Sequence, residues 1–428
     1  MSREHAIAIF NHAVAAVQPA ILIENAVQRN GDTIKIADSI FRLQENRPIW
    51  IFGAGKAAAA MTAALERILS GIPLKGLVIT KYHHALPLQH IKLAEAAHPV
   101  PDENGVQATK QMIALLKQVG ENDLVFFLLS GGASALLADY PEGTTLAQVQ
   151  TVFELLLKSG ADIHEINVVR KHLSAVKGGQ LTAGTNAFYS LILSDVVGDD
   201  LHVIGSGPTV PDPSTFADAY AIVEKYHLTT QLPAPVLQHL LKGVQGYIPD
   251  TPEQGNAHNL LIGNNKIALD AAAEKAAALG YEVHILTTTA TGEAELLAQQ
   301  LIRTAMNWPG KRPACLLAGG ESTVTITGNG LGGRNQQLAL AALIALQNDP
   351  QNITLLSAGT DGTDGPTDAA GAIADMAVIA AAAEKNLDAV YYLTQNDAWH
   401  FFERTGGLFK TGATQTNVMD IIVVIINY

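Results

Sequence analysis

The sequence has little of several things, and each shortage excludes a class of protein. One cysteine, Cys315, stands among 428 residues, which excludes an intrachain disulfide. Because Cys315 lies in the apolar run 314–318, we predict a buried, inert thiol and a reducing, cytoplasmic location. The apolar run 421–426 is too short to span a bilayer. Residues 3–29 have no apolar signal core with a cleavage site, and they are predicted to form an amphipathic helix.

Charge is also scarce, and positive charge most of all. Charged residues make up 16% of the chain and apolar residues 48%, which is typical of a well-buried globular protein. The 27 basic and 40 acidic side chains give a net charge of −13, and no basic stripe stands out. Nucleic acids and anionic membrane surfaces are therefore not expected partners. An anionic ligand would have to meet positive groups that are gathered locally.

Apolar segments alternate with alanine-rich helical segments along most of the chain, which predicts an α/β fold with largely parallel sheets. The predicted strands are residues 49–52, 76–80, 124–129, 191–193, 259–262, 282–287, 314–318, 322–326, 353–357 and 419–426. This length exceeds one core, and the glycine- and proline-rich segment 242–258 is the expected boundary. We expect an N-terminal α/β domain over 1–245 and a C-terminal one over 256–428, with the helix at 3–29 packed on either.

A first glycine turn follows a predicted strand and places a lysine before a helix. Residues 53–56 read Gly-Ala-Gly-Lys. The free amides and the dipole of a helix N-terminus attract anions, and Lys56 adds a full charge, so Gly53, Gly55 and Lys56 are candidate phosphate ligands. The turn also matches the dinucleotide pattern G-x-G-x-x-A, but the next strand ends on Lys81 rather than an acid, so only an NADP phosphate would fit there. An ordinary strand–helix turn with a solvated lysine is the third interpretation.

A second glycine turn follows the strand predicted at 124–129 and contains Ser130, Gly131, Gly132 and Ser134. Successive amides in such a turn make an anion-binding nest, and the two hydroxyls add donors. A hydrolase nucleophile elbow does not fit, because the last glycine of G-x-S-x-G is missing. We predict a nucleotide-phosphate site here, and a turn needed only for packing is the alternative.

The segment 167–179 gathers four basic or histidine side chains, at positions 170, 171, 172 and 177. In an acidic protein this is a local positive patch, so Arg170 and Lys171 are candidate substrate ligands. A solvated helix face would show the same composition. His172 alone does not indicate a metal site.

Carboxylates follow the strand predicted at 191–193, at Asp195, Asp199 and Asp200. A carboxylate at the end of a strand can bind Mg²⁺, which takes one or two such ligands together with water and phosphate oxygens. It can also accept the proton of a substrate hydroxyl. Asp195 is the candidate for both roles, although aspartate and glycine also favour simple turns.

Two glycine-rich motifs in the second half carry further polar candidates. Residues 317–323 present Glu321 after a predicted strand, and residues 328–337 deliver Arg334 and Asn335 to the start of a helix. The planar fork of arginine suits bidentate contact with a carboxylate or a phosphate. Glu321 and Asn335 are candidate substrate ligands beside Arg334, and a structural surface arginine is the alternative.

The acidic loop 357–371 is the last candidate, with Asp361, Asp364 and Asp368 among glycines and threonines. Its spacing and the lack of a glutamate at the twelfth position exclude an EF-hand. Asp361 is a candidate ligand for a metal or a polyol. A series of Asx turns would also explain this composition.

In this order, these motifs closely resemble those of the class II glycerate kinases, also called the MOFRL family. The matching motifs are Gly53-Ala-Gly-Lys56, Leu129-Ser-Gly-Gly-Ala-Ser134, Leu193-Ser-Asp-Val-Val-Gly-Asp199, Gly205-Ser-Gly-Pro208, Gly319-Gly-Glu-Ser322, Gly332-Gly-Arg-Asn-Gln336 and Ala358-Gly-Thr-Asp-Gly-Thr-Asp-Gly365. The resemblance runs from about residue 6 to residue 425. Several separated motifs in order are far more specific than any one of them.

The resemblance implies ATP-dependent phosphorylation of D-glycerate at its 2-hydroxyl, giving 2-phosphoglycerate, with Mg²⁺ as the cofactor. It also implies two Rossmann-like three-layer α/β/α domains with the active site in a cleft between them. Lys56 and Arg334 correspond to the active-site pair of the family. Lys56 would then hold phosphate, the turn Ser130–Ser134 would cradle the nucleotide, and Arg334 would clamp the carboxylate or the γ-phosphate. Asp195 would orient Mg²⁺ or the attacking hydroxyl.

Two other functions stay open on the sequence. Bacterial members of this family are often labelled hydroxypyruvate reductase, and the turn at Gly53 fits an NAD(P)H-dependent reductase apart from the missing acid. A non-catalytic protein that binds carboxylates or nucleotides is the second. Small molecules are the expected ligands in every case, and a homo-oligomer is compatible with all three functions.

Overall fold

The computed structural model describes residues 1–44, 47–182, 184–348 and 352–428. The helices are α1 (Ser2–Ala16), α2 (Pro19–Ala26), α3 (Ala58–Ile68), α4 (Glu103–Leu116), α5 (Ala133–Leu136), α6 (Leu146–Lys158), α7 (Ile163–His172), α8 (Phe216–Lys225), α9 (Ala234–Val244), α10 (Asn265–Ala278), α11 (Ala294–Met306), α12 (Arg334–Asn348), α13 (Met376–Glu384), α14 (Ala389–Thr394) and α15 (Ala398–Thr405). The strands are β1 (Val27–Asn30), β2 (Thr33–Ile36), β3 (Ser39–Arg42), β4 (Ile49–Ala54), β5 (Leu74–Lys81), β6 (Lys92–Ala96), β7 (Val125–Leu129), β8 (Phe188–Leu193), β9 (Ala257–Gly263), β10 (Glu282–Ala290), β11 (Ala314–Gly320), β12 (Ile353–Gly359), β13 (Gly371–Ala374), β14 (Leu408–Phe409) and β15 (Asp420–Ile426). The predicted α/β class is confirmed.

The chain forms two compact units. The N-terminal unit comprises Pro19–Ser194 and Asp199–Ile262, and the C-terminal unit comprises Met1–Gln18, Asp195–Gly198 and Gly263–Tyr428. The first 18 residues belong to the C-terminal unit, which is one of the two positions left open for the N-terminal helix. The division differs from the expected one at Asp195–Gly198, which belong to the C-terminal unit, and at β9, which lies beside β8 in the sheet of the N-terminal unit.

The sheet of the N-terminal unit has the order β6-β5-β4-β7-β8-β9, and β4 to β8 run parallel. Each residue of β4 and β7 is buried, because helices and loops cover both faces of a parallel sheet. The chain winds from β4 to one side through β5 and β6, and then returns to the other side through β7 and β8. Ligands of doubly wound sheets bind where the strand order reverses, at the carboxyl ends of the strands. Both predicted glycine turns follow β4 and β7, at that reversal.

The sheet of the C-terminal unit has the order β10-β11-β15-β12-β13-β14. Its strands are mostly antiparallel, and the parallel pair is β10 with β11. The expectation of largely parallel sheets is wrong for this unit, because β15 enters between β11 and β12 from the opposite end. All residues of β15 are buried, so this strand forms the middle of the core. Cys315 on β11 is also buried, and burial raises the pKa of its thiol to about 12.

The helix predicted at 3–29 is wrong in its length. It breaks before Pro19 into α1 and α2, and the chain then enters the small antiparallel sheet β1-β2-β3.

The strand predicted at 322–326 is also absent, apart from one bridge between Thr323 and Glu293. The amide of Thr325 donates to the Glu293 carboxylate at 2.7 Å, so this amide does not need a hydrogen bond from a neighbouring strand.

No single described helix is long and apolar enough to cross a membrane, and the bent pair α1 and α2 passes that test by length and composition alone.

Candidate active site

Hydrogen bonds join the two glycine turns of the N-terminal unit. The Lys56 amide donates to the Gly131 carbonyl at 2.9 Å, and the Ala57 amide donates to Ser130 Oγ at 3.1 Å. Gly55 has a φ of +137°, and a Cβ there would lie 2.1 Å from Ser130 Oγ. The turn therefore requires glycine at position 55 for its backbone conformation and for its close approach to Ser130.

The N-terminus of α3 is open to an anion. Ala57 caps this helix without a side-chain hydrogen bond, and Lys56 forms no ion pair with any described residue. The amides of Ala57 and Ala58 donate to Ser130 Oγ and to the Gly55 carbonyl, so the candidate anion site consists of Lys56 and the later amides of the first turn. Gly53 has a different role, because it lies inside β4 and a Cβ there would be 2.5 Å from the carbonyl of Leu128. Its structural role is to allow close packing of β4 against β7.

His98 lies against the second turn and escaped the sequence analysis. A Cβ on Gly132 would be 2.9 Å from His98 Cδ2 and 3.5 Å from Lys56 Cγ, so all three meet at one place. Burial, followed by the charges of Lys56, Lys81 and His84, lowers the pKa of His98 to about 4. The imidazole is therefore neutral near pH 7. The position of His98 just past the carboxyl end of β6 was the available signal.

Ser134 and Arg170, predicted separately, are connected through two residues that the sequence analysis did not select. Ser134 Oγ lies 2.9 Å from Ser206 Oγ, which donates to Asn167 Oδ1 at 2.9 Å. Arg170 Nη1 donates to the same Asn167 oxygen at 2.8 Å. Burial lowers the pKa of Arg170 to about 10, and its guanidinium covers the ring of Phe153. The network holds a cation close to the hydroxyl of the second turn.

Lys171 points elsewhere. Its Nζ donates to Asp212 Oδ1 at 3.0 Å, and both side chains are buried. Ser214 and Thr251 also donate to the Asp212 carboxylate. Lys171 thus forms a buried ion pair with Asp212, and its role as a substrate ligand stays a prediction.

Asp195 follows β8 and, by its contacts, belongs to the C-terminal unit. Asn417 Nδ2 approaches Asp195 Oδ2 at 3.5 Å. Asp199, a few residues on, has a left-handed φ of 56°, which is consistent with a tight turn after the strand. The carboxylate of Asp195 therefore stands at a strand end, as the sequence predicts.

Arg334 begins α12 and is held by two carboxylates of the C-terminal unit. Its Nε and Nη2 donate to the two oxygens of Asp420 at 2.6 and 2.9 Å, and its Nη1 donates to Glu321 Oε1 at 2.6 Å. Burial disfavours the charge on Arg334, but Asp420, then Glu321 and Asp364, outweigh it and raise its pKa. Glu321, which the sequence analysis selects as a substrate ligand, is thus paired with Arg334, and Asp420 is a partner that it did not select.

Asp364 caps α12 from the acidic loop. Its oxygens accept the amides of Asn335 and Gln336 at 3.1 and 2.9 Å. Burial raises the pKa of Asp364 to about 6 against the opposing effect of these amides, and Asp420 adds to the rise. The side chain of Asn335 accepts from Ser357 Oγ at 2.6 Å and donates to Asp364 at 3.4 Å. Asn335 is therefore hydrogen-bonded inside the unit, and its role as a substrate ligand stays a prediction.

Asp361 forms an Asx turn, in which its Oδ1 accepts both the amide and the hydroxyl of Thr363 at 3.0 Å. The described ranges contain no group of three or more histidine, cysteine, aspartate or glutamate side chains that could hold a metal ion. A divalent cation in this protein would therefore depend on few protein ligands.

The chain is similar to known proteins over almost its whole length. A model described as a domain of unknown function, DUF4147, matches residues 5–241, and the model of the MOFRL family matches residues 314–420. A glycerate 2-kinase from Pyrococcus horikoshii is 40% identical over 99% of this chain and 97% of its own length. A protein of Agrobacterium vitis, provisionally named a hydroxypyruvate reductase, is 37% identical over 98% of this chain and 93% of its own length.

One solved structure extends the likeness from sequence to fold. The crystal structure of a glycerate kinase from Thermotoga maritima aligns with a TM-score of 0.87 and 39% identity, and covers 99% of both chains. The likeness therefore spans the residues of both units. The chain belongs to the class II glycerate kinase family, which combines the DUF4147 and MOFRL domains.

Proposed function

We infer that this protein transfers the γ-phosphoryl group of ATP to the 2-hydroxyl of D-glycerate, giving 2-phosphoglycerate and ADP. The observation that carries the inference is the unpaired Lys56 at the uncapped N-terminus of α3. Few unpaired cationic side chains are expected in an acidic protein, and Lys56 lies where the strand order of a parallel sheet reverses. Such a position suits the phosphates of a nucleotide.

Phosphoryl transfer requires positioning of the reactants and stabilisation of charge on the transferred oxygens. The N-terminal unit supplies Lys56 and the amides of α3 to hold phosphate. The joined turn of Gly55 and Ser130 to Gly132 supplies further donors to the nucleotide. Arg170 is linked to Ser134 through Asn167 and Ser206, and it adds a second positive charge, after Lys56, to the proposed site. Hydrogen bonds join the two turns in the absence of a ligand, so their backbone donors need little reorganisation.

The C-terminal unit supplies Arg334, which we assign to the carboxylate of glycerate or to the γ-phosphate. Asp420 and Glu321 together accept three of its five N–H donors, and Asp420 holds the guanidinium by a two-point contact. Bidentate contact with an oxyanion requires a guanidinium in fixed orientation, which these contacts provide.

The residues present are compatible with Mg²⁺ brought by ATP. Magnesium binds through one or two carboxylates, with phosphate oxygens and water filling its other positions. Asp195 at the end of β8 is the carboxylate we assign to that ion, and Asp361 is a second, weaker candidate. When bound, the ion would neutralise charge on the phosphates. We place the protein in the cytoplasm, since its one thiol is buried and unpaired.

The test mixes purified protein with D-glycerate, ATP and Mg²⁺, and follows ADP by a coupled assay and the product by phosphorus NMR. We expect the 2-phosphoglycerate signal. Lys56→Ala is expected to lower kcat by orders of magnitude, whereas Lys35→Ala on the exposed face of β2 is the matched control and should leave kcat unchanged. Arg334→Lys should also reduce kcat/KM, because lysine cannot reproduce the fork. Near-normal kcat in Lys56→Ala would remove this residue from the site.

An NAD(P)H-dependent hydroxypyruvate reductase is the second candidate, since the turn Gly53 to Ala58 keeps the G-x-G-x-x-A spacing and a relative carries that name. Lys81 ends β5 where an NAD site needs an acid for the ribose. The same preparation is therefore given hydroxypyruvate with NADH or NADPH. Nicotinamide oxidation without ADP formation would replace the kinase assignment, and turnover by neither route would favour a binding protein.

A further inference from the structure

The two carboxylates that hold Arg334 differ in how firmly they are placed. Asp420 makes a two-point contact and its side chain is 4% exposed, whereas Glu321 makes a one-point contact and its side chain is 43% exposed. A two-point contact fixes the plane of the guanidinium, and a one-point contact does not. Arg334 is thus oriented by Asp420 and only accompanied by Glu321.

Asp420 is anchored through its backbone. It is the first residue of β15, and it lies opposite Gly320 of β11 and Gly359 of β12 in the register of the sheet. Its carbonyl also accepts Nδ2 of Asn265 at 3.0 Å. Its carboxylate is also buried, so a rotation away from Arg334 would leave a buried charge without this partner.

Glu321 can leave without such a cost. It lies just beyond β11, where its amide donates to the Ala290 carbonyl at 2.8 Å. Its carboxylate makes its hydrogen bond to Arg334 and to no other described residue. Rotation about the side-chain bonds of Glu321 is enough to free Nη1 of Arg334, while the backbone stays in place.

An anionic ligand and Glu321 compete for the same edge of the guanidinium. Asp420 occupies the Nε–Nη2 edge, so bidentate contact with a carboxylate or phosphate must use the Nη1–Nη2 edge. Glu321 stands on Nη1 and carries the same sign of charge as the incoming group. When a ligand carboxylate replaces the Glu321 carboxylate beside Nη1, the net charge in contact with the Arg334 guanidinium stays the same.

We propose that Asp420 is the positioning residue for Arg334, and that Glu321 is a placeholder carboxylate which the anionic group of the substrate displaces. The proposal rests on the assignment of Arg334 to substrate binding made above. It changes the role of Glu321 from a substrate ligand, as the sequence motifs suggest, to a competitor of the substrate. The two roles predict opposite effects of one substitution.

Glu321→Gln decides between them. A neutral amide competes less for Nη1 and repels the anion less, so KM for D-glycerate should fall several-fold with kcat kept within about threefold. Calorimetric titration with D-glycerate should show tighter binding by a similar factor. The matched control is Asp368→Asn, which removes a surface carboxylate paired with Lys410 in the same unit and should change neither value. A rise in KM with weaker glycerate binding in Glu321→Gln would overturn the proposal.

Asp420→Asn tests the positioning role. The amide turns an N–H₂ group toward the fork, and misplacement of a catalytic group by about 1 Å costs about 10²-fold in rate. We expect kcat to fall by about that factor with a smaller change in KM. Asp375→Asn is the control, because Asp375 makes a two-point pair of the same kind with Arg3, at 2.8 and 2.9 Å. An unchanged kcat in a folded Asp420→Asn protein would overturn the positioning role.

Circular dichroism and thermal melting establish whether Asp420→Asn folds, and Glu321→Gln alone decides the proposal if it does not. Turnover by the wild-type protein distinguishes a failure of the proposed kinase function from a failure of the roles proposed for Glu321 and Asp420. A wild type that forms no ADP from glycerate overturns the proposed function together with this proposal. Wild-type turnover with weaker glycerate binding in Glu321→Gln overturns the present proposal alone.

Discussion

Ser130 accepts the backbone N–H of Ala57 at 3.1 Å, so the loop after β7 is joined to the residue that precedes α3, the helix after β4. Ser130 also belongs to the turn that we propose to bind the nucleotide. This one contact connects the fold of the N-terminal unit to its proposed chemistry. Loss of the hydroxyl should therefore affect stability and nucleotide binding together.

Ser130→Ala is expected to lower the free energy of unfolding by about 1–3 kcal/mol, because the buried Ala57 amide loses its acceptor. KM for ATP should rise in the same variant. The matched control is Ser190→Ala on β8, since the buried hydroxyl of Ser190 has no hydrogen-bond partner among the described residues. Urea unfolding and ATP titration measure both effects. Equal behaviour of the two variants would show that the Ser130 contact contributes nothing.

Gly55→Ala should be one of the most damaging small substitutions in the chain. The new Cβ would meet Ser130 Oγ at 2.1 Å and the Ser130 carbonyl at 2.5 Å, in a backbone conformation with φ of +137°. We expect a loss of at least about 2 kcal/mol of stability and a large loss of kcat/KM for ATP. Gly143→Ala separates strain from crowding, because Gly143 has a φ of +82° and open space around it. The Gly143→Ala protein should lose about 1 kcal/mol of unfolding free energy and keep its kcat/KM for ATP.

Lys56→Met should raise the pKa of His98. Burial is the largest cause of its low value and stays in place, so the new pKa should lie between about 4 and the ordinary 6.5. Proton NMR of the imidazole, assigned with His98→Asn, measures the change. Lys110→Met, which removes an exposed lysine lying over the Tyr140 ring, should leave this pKa unaltered. The experiment tests the placement of Lys56 without relying on turnover.

Asp364 should give stability a negative dependence on pH between about pH 4 and pH 6. Its pKa is raised in the folded state to about 6, so the folded protein binds the proton that the unfolded chain has already released. Its favourable contribution is complete below about pH 4 and is lost as the pH rises through 6. Asp364→Asn should remove this slope while weakening the cap of α12. Urea unfolding of both proteins at several pH values from 4.5 to 7.5 provides the comparison, and parallel curves would contradict the prediction.

Local patterns were enough to find the strands and turns that carry Lys56 and Ser130. An apolar run ending in glycines marks the carboxyl end of a buried strand; β7 ends at the predicted residue, and β4 extends two residues beyond the prediction, to Ala54. The same reasoning gave the start of α12 and its arginine. These features depend on neighbours in the sequence, which is why they could be predicted without the structure.

The partners of those residues could not be predicted in the same way. Asp420 is separated from Arg334 by 86 positions, and its place depends on the insertion of β15 between β11 and β12. A run of apolar residues such as 421–426 predicts a buried strand but not its direction or its neighbours. Lys171 is a second example: it follows Arg170 in the sequence, but its side chain forms an ion pair with Asp212, which lies 41 positions away.

The central position of β15 also governs the order in which a nascent chain can assemble. β15 follows every other strand of its sheet along the chain, whereas α1, which packs against α10, β12 and β15, precedes them. The packing of α1 on this sheet is therefore complete only after β15 has been made. All residues of the N-terminal unit precede β15 in the sequence. Arg334 likewise acquires its Asp420 partner only once β15 has been made, so no kinase activity is expected before that point.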